Sequence, residues 1–203
     1  MPKVSLISSL NRSIHDLAIL SNFNLGSKAL DAKYQYLISE VILLRLFSVL
    51  ECTISEVAFK LACGATYRNG NNPIVLRQCS SIHDSFINMI SYNRRKPLHY
   101  LQWTKATFVR TSIEHILDIN DSYYANIQNH SNLINEMRVV RNHIAHRSTS
   151  TKQEYDILLQ QIYGGNPKLT IGTFLTTTNR NPISNIDRYI ASTRIILDDI
   201  TNG

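Results

Sequence analysis

The chain has 203 residues, a length that suits one domain with a sizeable hydrophobic core. Hydrophobic residues make up 43% of it, which excludes a wholly disordered protein. The formal charge of +6, with an isoelectric point near 9.3, is compatible with a polyanionic partner such as RNA or DNA. Three cysteines without a CxxC pair indicate free thiols in a reducing cytoplasmic setting.

The first half of the chain has helical periodicity. Apolar spacing predicts a helix over 4–20 and a loop over 21–27, and a long helix then runs from Lys28 to about Ala62. Charged residues interrupt that long apolar stretch, so we expect no membrane span. The buried stripe of the long helix is predicted to comprise Ala29, Leu37, Val41, Leu44, Phe47, Leu50, Ile54 and Ala58.

The second half continues this pattern with shorter elements. A helix is predicted over 133–147, and Thr151 with Glu154 forms a capping box before the next one. The stretch 164–178 is the least helical and favours a short β-ribbon, and Ser184 is expected to cap the last helix.

The predicted fold is therefore all-α, a helical bundle built around one long helix. We expect a single domain over 1–203. Its core lies at about 28–160, with the helices at 4–20 and 184–200 as additions.

The segment VVRNHIAHRS, residues 139–148, places two histidines and two arginines directly after an apolar run. At about 100° per residue, an apolar arc of the helix faces the core. Ala145 faces away from that arc, and a small residue there lets a second surface approach closely. The apolar arc consists of Leu133, Met137, Val140 and Ile144, the opposite side carries Arg138, Arg141, Asn142, Ala145 and His146, and another flank carries His143 and Arg147.

These residue types suit the cleavage of RNA without a metal ion, because the 2′-hydroxyl of RNA can attack the adjacent phosphorus. Histidine can transfer a proton near neutral pH, and arginine can stabilise the charge on a phosphorane. An asparagine amide can orient the reacting groups. The dipeptide Arg-Asn begins at Arg68, Arg141 and Arg180, but only Arg141 has a histidine five positions later, His146.

The stretch RVVRNHIAHR resembles the signature of the HEPN superfamily of small helical ribonucleases, an Arg followed after four to six residues by His, often with Asn directly after the Arg. Arg141, Asn142 and His146 match it. The segment LISEVILLRLFSVLECTISEVAFKLACG resembles the long family helix that precedes the motif. The resemblance covers about residues 28–160.

The resemblance implies a homodimer with both motifs in one cleft. It also implies metal-independent RNA cleavage that leaves 2′,3′-cyclic phosphate and 5′-hydroxyl ends, and a role as a toxin or antiphage effector restrained by an antitoxin or sensor protein. Arg141, Asn142 and His146 are then the catalytic residues, and Arg138 and His143 support them. An acidic or polar residue facing the Arg–His pair is implied too. Glu51 is the first candidate, with Glu56 and Arg45 as weaker ones.

Other interpretations stay open from the sequence. Arg147, Arg94, Arg95 and Lys96 are weaker candidates for contacts with RNA phosphates, although charged surface segments are usually only solvated. His143 and His146 could form part of a metal site, but no carboxylate or cysteine lies beside them at helical spacing, so no metal or cofactor is predicted. The main alternative is a non-catalytic helical module that binds RNA or protein through the same basic face.

Overall fold

The computed structural model describes residues 5–165, 167–178 and 182–203, and in these ranges the protein is all-α, as predicted. Val75 and Leu117 form an isolated antiparallel bridge, and no strand is present in the described residues. No helix in these ranges is long and apolar enough to cross a membrane. The helices are α1 (Leu6–Ser27), α2 (Ala32–Ala62), α3 (Ile82–Ser91), α4 (Ala106–Ile113), α5 (Ser122–Asn129), α6 (Ser131–His146), α7 (Thr149–Tyr163), α8 (Ile171–Thr176) and α9 (Asn185–Asn202).

The chain divides into two compact units. The first unit consists of Met1–Ile14, Leu50–Asn132 and Ile195–Gly203. The second unit consists of His15–Val49 and Leu133–Arg194.

In the first unit, Lys60 is a buried charge that is fully engaged. Its ammonium donates to the Ser5 carbonyl oxygen at 3.0 Å and to the hydroxyls of Ser8 and Ser9 at 3.0 and 2.6 Å. It also pairs with Glu56 at 2.9 Å. A buried ammonium is tolerated only when it has such partners, so these contacts bind the start of α1 to α2.

The predicted loop over 21–27 is wrong, because α1 continues to Ser27. Asn24 is buried and its amide donates to the Asp187 carboxylate in the second unit. The hydroxyl of Ser27, also buried, donates to the Asn24 carbonyl oxygen at 2.8 Å. These buried hydrogen bonds outweigh the weak helix propensity of the polar residues.

The predicted stripe of α2 is correct only in its second part. Phe47, Leu50, Ile54 and Ala58 are buried. Toward the start of the helix, Leu37 is 51% and Val41 64% exposed. Leu44 is only partly buried, and Ala29 is exposed and precedes the helix. Residues 42–61 are apolar on most sides, so spacing alone does not define a single buried face.

The predicted β-ribbon in 164–178 is also wrong where the structure describes that range. Residues 171–176 form α8, and the Thr170 hydroxyl accepts a hydrogen bond from the amide of Thr173 at its start. Ile171, Phe174 and Leu175 are buried, at the i, i+3, i+4 spacing of a helix face. This burial stabilises a helix too short to form alone.

Two predicted helix starts can be compared with the structure, those of α7 and α9. The cap of α7 is Ser148 paired with Thr151, one turn earlier than the predicted Thr151–Glu154 box. The prediction for α9 is confirmed, since the Ser184 hydroxyl accepts from the amide of Asp187 at 3.3 Å.

Glu136 connects α6 to α9 within the second unit. Its carboxylate accepts from the Tyr189 hydroxyl at 2.6 Å and pairs with Arg188. A close approach joins α8 to α2 in the same unit, because Gly172 lies against Tyr36 with no room for a Cβ atom. These contacts fix α9 against α6 and α8 against α2.

Candidate functional site

The motif helix α6 buries one face, as predicted. Met137, Val140 and Ile144 are buried, together with Ile134 and Val139. Leu133, predicted as part of this face, is only partly buried. On the opposite side, Ala145 and His146 are exposed at the last turn. The helix therefore has its small residue and its motif histidine at the surface.

Arg141 and Asn142 form a hydrogen-bonded pair at the start of the motif. The Arg141 guanidinium donates to the amide oxygen of Asn142 at 3.1 Å. Its central carbon lies 5.8 Å from the centre of the Phe47 ring. An arginine can only donate hydrogen bonds, so the oxygen of the Asn142 amide must face Arg141. The NH₂ group of Asn142 is then left as a donor. Arg141 is half-buried, and both contacts restrict its orientation.

Arg138 lies two turns before His146 and is held by neighbours. It donates to the Asn135 side-chain oxygen at 3.1 and 3.2 Å and lies 3.8 Å from Glu154 on α7. These contacts orient its guanidinium toward α7.

His143 lies on the flank that faces α7. Its Nδ1 is 3.2 Å from the Thr151 hydroxyl, and its ring stacks on Tyr155 with the centroids 5.3 Å apart. The Thr151 hydroxyl has a single proton, which it can donate to Nδ1 or to the Ser148 carbonyl oxygen 3.0 Å away, and in both cases the contact with Nδ1 orients the imidazole ring. Burial lowers the pKa of His143 below its ordinary value, and the imidazole is therefore neutral near pH 7.

A cavity of about 500 Å³ opens beside this flank. His143 and Arg147 line it, but Arg141, Asn142 and His146 do not. Arg147 reaches Glu40 at 3.0 Å. The motif segment therefore contributes His143 and Arg147 to the cavity wall, whereas Arg141, Asn142 and His146 lie outside it.

Sequence reasoning missed the residues that complete the cavity wall from α2, α7 and the segment before α8. Lys152, Tyr155 and Asp156 share one face of α7, and that i, i+3, i+4 spacing was the available signal. Glu40 and Lys168 carried no such signal, since each comes from a distant part of the chain.

Of the four weaker candidates for RNA contacts, Arg94, Arg95 and Lys96 lie in the first unit, and Arg147 lies in the second, in the cavity wall. Arg94 has a side chain only 8% exposed, and it donates to Glu114, Met89 and Thr111. Arg95 and Lys96 are exposed. Glu51 is partly exposed on α2, in the first unit, whereas Arg141 is in the second.

In the part of the chain that the structure describes, no group of three or more His, Cys, Asp or Glu residues is placed to hold a metal ion. The sequence matches no protein-family model, and no curated protein or solved structure is significantly similar to it.

Proposed function

We propose that the protein is a metal-independent endoribonuclease, with Arg141, Asn142 and His146 as its catalytic residues. The observation that supports this most directly is the oriented Arg141–Asn142 pair followed by an exposed histidine on the same helix. A cation with fixed orientation, an amide donor and a titratable imidazole are the groups that 2′-hydroxyl attack requires.

In the proposed reaction, the 2′-oxygen forms a bond to phosphorus and the bond from phosphorus to the 5′-oxygen breaks. The 2′-hydroxyl loses its proton to a base and the departing 5′-oxygen gains one, so no water or metal is consumed. His146 transfers a proton in this step and Arg141 stabilises the phosphorane. The products are a 2′,3′-cyclic phosphate and a 5′-hydroxyl.

A homodimer would supply the second histidine, so that one imidazole accepts a proton while the other donates one. An apolar surface on the second unit supports this part of the proposal. Phe23, Leu37 and Val41 are exposed there and line an apolar cavity of about 480 Å³ with Leu20, Ile38, Ile42 and Arg45. Exposed apolar surface of this kind typically marks an interface, and we assign it to a second copy of the chain.

An active ribonuclease of this type would damage its own cell. We therefore propose that it acts in the cytoplasm as a toxin or antiphage effector, with an antitoxin or sensor protein restraining it.

The test is cleavage of RNA by the purified protein in excess EDTA. We expect cyclic-phosphate ends in the parent and a rate about 10²–10⁴-fold lower in His146→Ala. His83→Ala, an exposed histidine of the first unit, is the matched control and should cleave as the parent does. Loss of cleavage on chelation, or full activity of His146→Ala, would contradict the proposed mechanism. RNA binding that yields no product would instead indicate the non-catalytic module.

A further inference from the structure

The residues that line the cavity beside α6 have no role in the RNA cleavage proposed for Arg141, Asn142 and His146. Its volume is about 500 Å³, within the range of about 300–1,000 Å³ typical of small-molecule sites. All of its lining residues belong to the second unit. They include Glu40, His143, Arg147, Lys152, Tyr155 and Lys168.

Cations outnumber carboxylates in the wall. Arg147, Lys152 and Lys168 supply three positive charges, and Glu40 with Asp156 supplies two negative ones, which leaves one positive charge with His143 neutral. Each carboxylate holds a cation in place. The Glu40 side chain is 16% exposed and lies 3.0 Å from Arg147, while Asp156 lies 2.8 Å from Lys152. The wall therefore presents oriented cations to a ligand.

Two of the three cations occupy a backbone conformation that disfavours them. Arg147 has φ of 44° and Lys168 has φ of 42°, both in the left-handed region. Arg147 comes directly after the last residue of α6, where glycine is the usual helix terminator. In the described residues, Asn93 and His115 are the other non-glycine positions with positive φ. Strained backbone of this kind persists preferentially at functional sites.

His143 is a half-buried part of the wall and is supported by Tyr155, which is only 3% exposed. Their rings stack with an interplanar angle of 27°, and the Tyr155 hydroxyl donates to the Leu169 and Thr170 carbonyl oxygens at 3.3 Å. Because His143 is neutral, one of its ring nitrogens is a hydrogen-bond donor and the other an acceptor. A ligand would therefore meet cations and the neutral imidazole of His143.

We propose that this cavity binds a phosphate ester the size of a nucleoside monophosphate, with the phosphate held by Arg147, Lys152 and Lys168. Inorganic phosphate would fill only a small part of the volume of about 500 Å³, which leaves room for the rest of an ester. The phosphate ester could come from a free nucleotide or from an RNA strand. The proposal does not depend on RNA cleavage by this protein.

Isothermal titration calorimetry with three probes tests the proposal: inorganic phosphate, adenosine 5′-monophosphate, and a 2′-O-methyl RNA trinucleotide that cannot be cleaved. We expect saturable binding of the monophosphate, tighter than that of inorganic phosphate. A trinucleotide that binds about tenfold more tightly than the monophosphate would assign the ester to an RNA strand. Comparable or weaker binding of the trinucleotide would assign it to a free nucleotide. Either result supports a phosphate-ester site.

Arg147→Asn and Lys168→Asn are the informative variants, since asparagine tolerates the left-handed conformation while removing the charge. Each should weaken monophosphate binding about tenfold or more without lowering the melting temperature. Lys33→Ala, an exposed lysine outside the cavity wall, is the charge-matched control and should bind as the parent does.

Absence of saturation by both nucleotide probes at millimolar concentration would overturn the proposal, and so would unchanged affinity in both asparagine variants. Monophosphate binding no tighter than that of inorganic phosphate would also overturn it. The His146→Ala variant should retain the binding, which separates failure of this site from failure of the nuclease proposal.

Discussion

Replacing Gly172 with alanine would place a methyl group between α8 and α2. The added Cβ would lie 2.7 Å from Tyr36 Cγ and 3.0 Å from Tyr36 Cα, with Tyr36 Cβ closer still. Carbon atoms pack at about 3.5–4.0 Å, so the two helices would have to separate by roughly 1 Å. The backbone atom cannot move aside as a flexible side chain could.

The expected cost follows from two opposing effects. Overpacking of a well-packed core lowers stability by about 1–3 kcal/mol. Because the added methyl group meets backbone here, we expect a loss near the upper value, about 3 kcal/mol. Alanine recovers about 1 kcal/mol through its better helix propensity. The net loss is about 2 kcal/mol, which lowers the melting temperature of a chain of this size by about 4–8 °C.

Thermal unfolding followed by circular dichroism at 222 nm measures this loss. Gly26→Ala is the matched control, because Gly26 also lies in a helix but has no atom within 4 Å of an added Cβ. That variant should be as stable as the parent or up to about 1 kcal/mol more stable. Tyr36→Ala should not rescue Gly172→Ala, since alanine keeps the Cβ atom that lies closest. A Gly172→Ala protein that melts at or above the parent's temperature would show that the α8–α2 contact accommodates a methyl group.

Three further predictions concern charge and association. Glu136→Gln should destabilise the protein by about 1–3 kcal/mol in urea unfolding, since it weakens the acceptor of Tyr189, whereas Glu154→Gln at an exposed pair should change stability by less than about 1 kcal/mol. The pKa of His143 is lowered in the folded protein, so as the pH falls below about 6.5 the unfolded chain binds a proton before the folded one does, and the free energy of unfolding should decrease. His143→Gln should reduce the dependence of the free energy of unfolding on pH. The same pH dependence in both proteins would contradict the lowered pKa of His143. Val41→Asp should shift a dimer toward monomer in sedimentation velocity at micromolar concentration, and a parent already monomeric there would refute the proposed interface.

The sequence predicted best where one helix face is clearly apolar. Helix α6 follows its periodicity, so Met137, Val140 and Ile144 were placed correctly in the core and Ala145 at the surface. The prediction failed where a tertiary contact decides the local structure. Asn24 lies in a helix because of its buried bond to Asp187, and such a partner cannot be read from local spacing.

In the candidate site, too, local contacts were predictable from the sequence and contacts between distant parts of the chain were not. The Arg141–Asn142 contact joins adjacent residues, and their shared helix face was predictable. The cavity draws on residues from α2, α6, α7 and the segment before α8. No local pattern links Glu40 to Arg147 or Lys168, because packing alone brings them together.

The burial of Lys60 has a consequence for its chemical reactivity. Its side-chain nitrogen is buried and enclosed by Ser5, Ser8, Ser9 and Glu56, so an acylating reagent cannot reach it while α1 remains in place. Exposed lysines such as Lys33 would be modified at once. The rate at which Lys60 becomes acylated would therefore report how often the first turns of α1 detach from α2, a local opening that global unfolding experiments do not resolve.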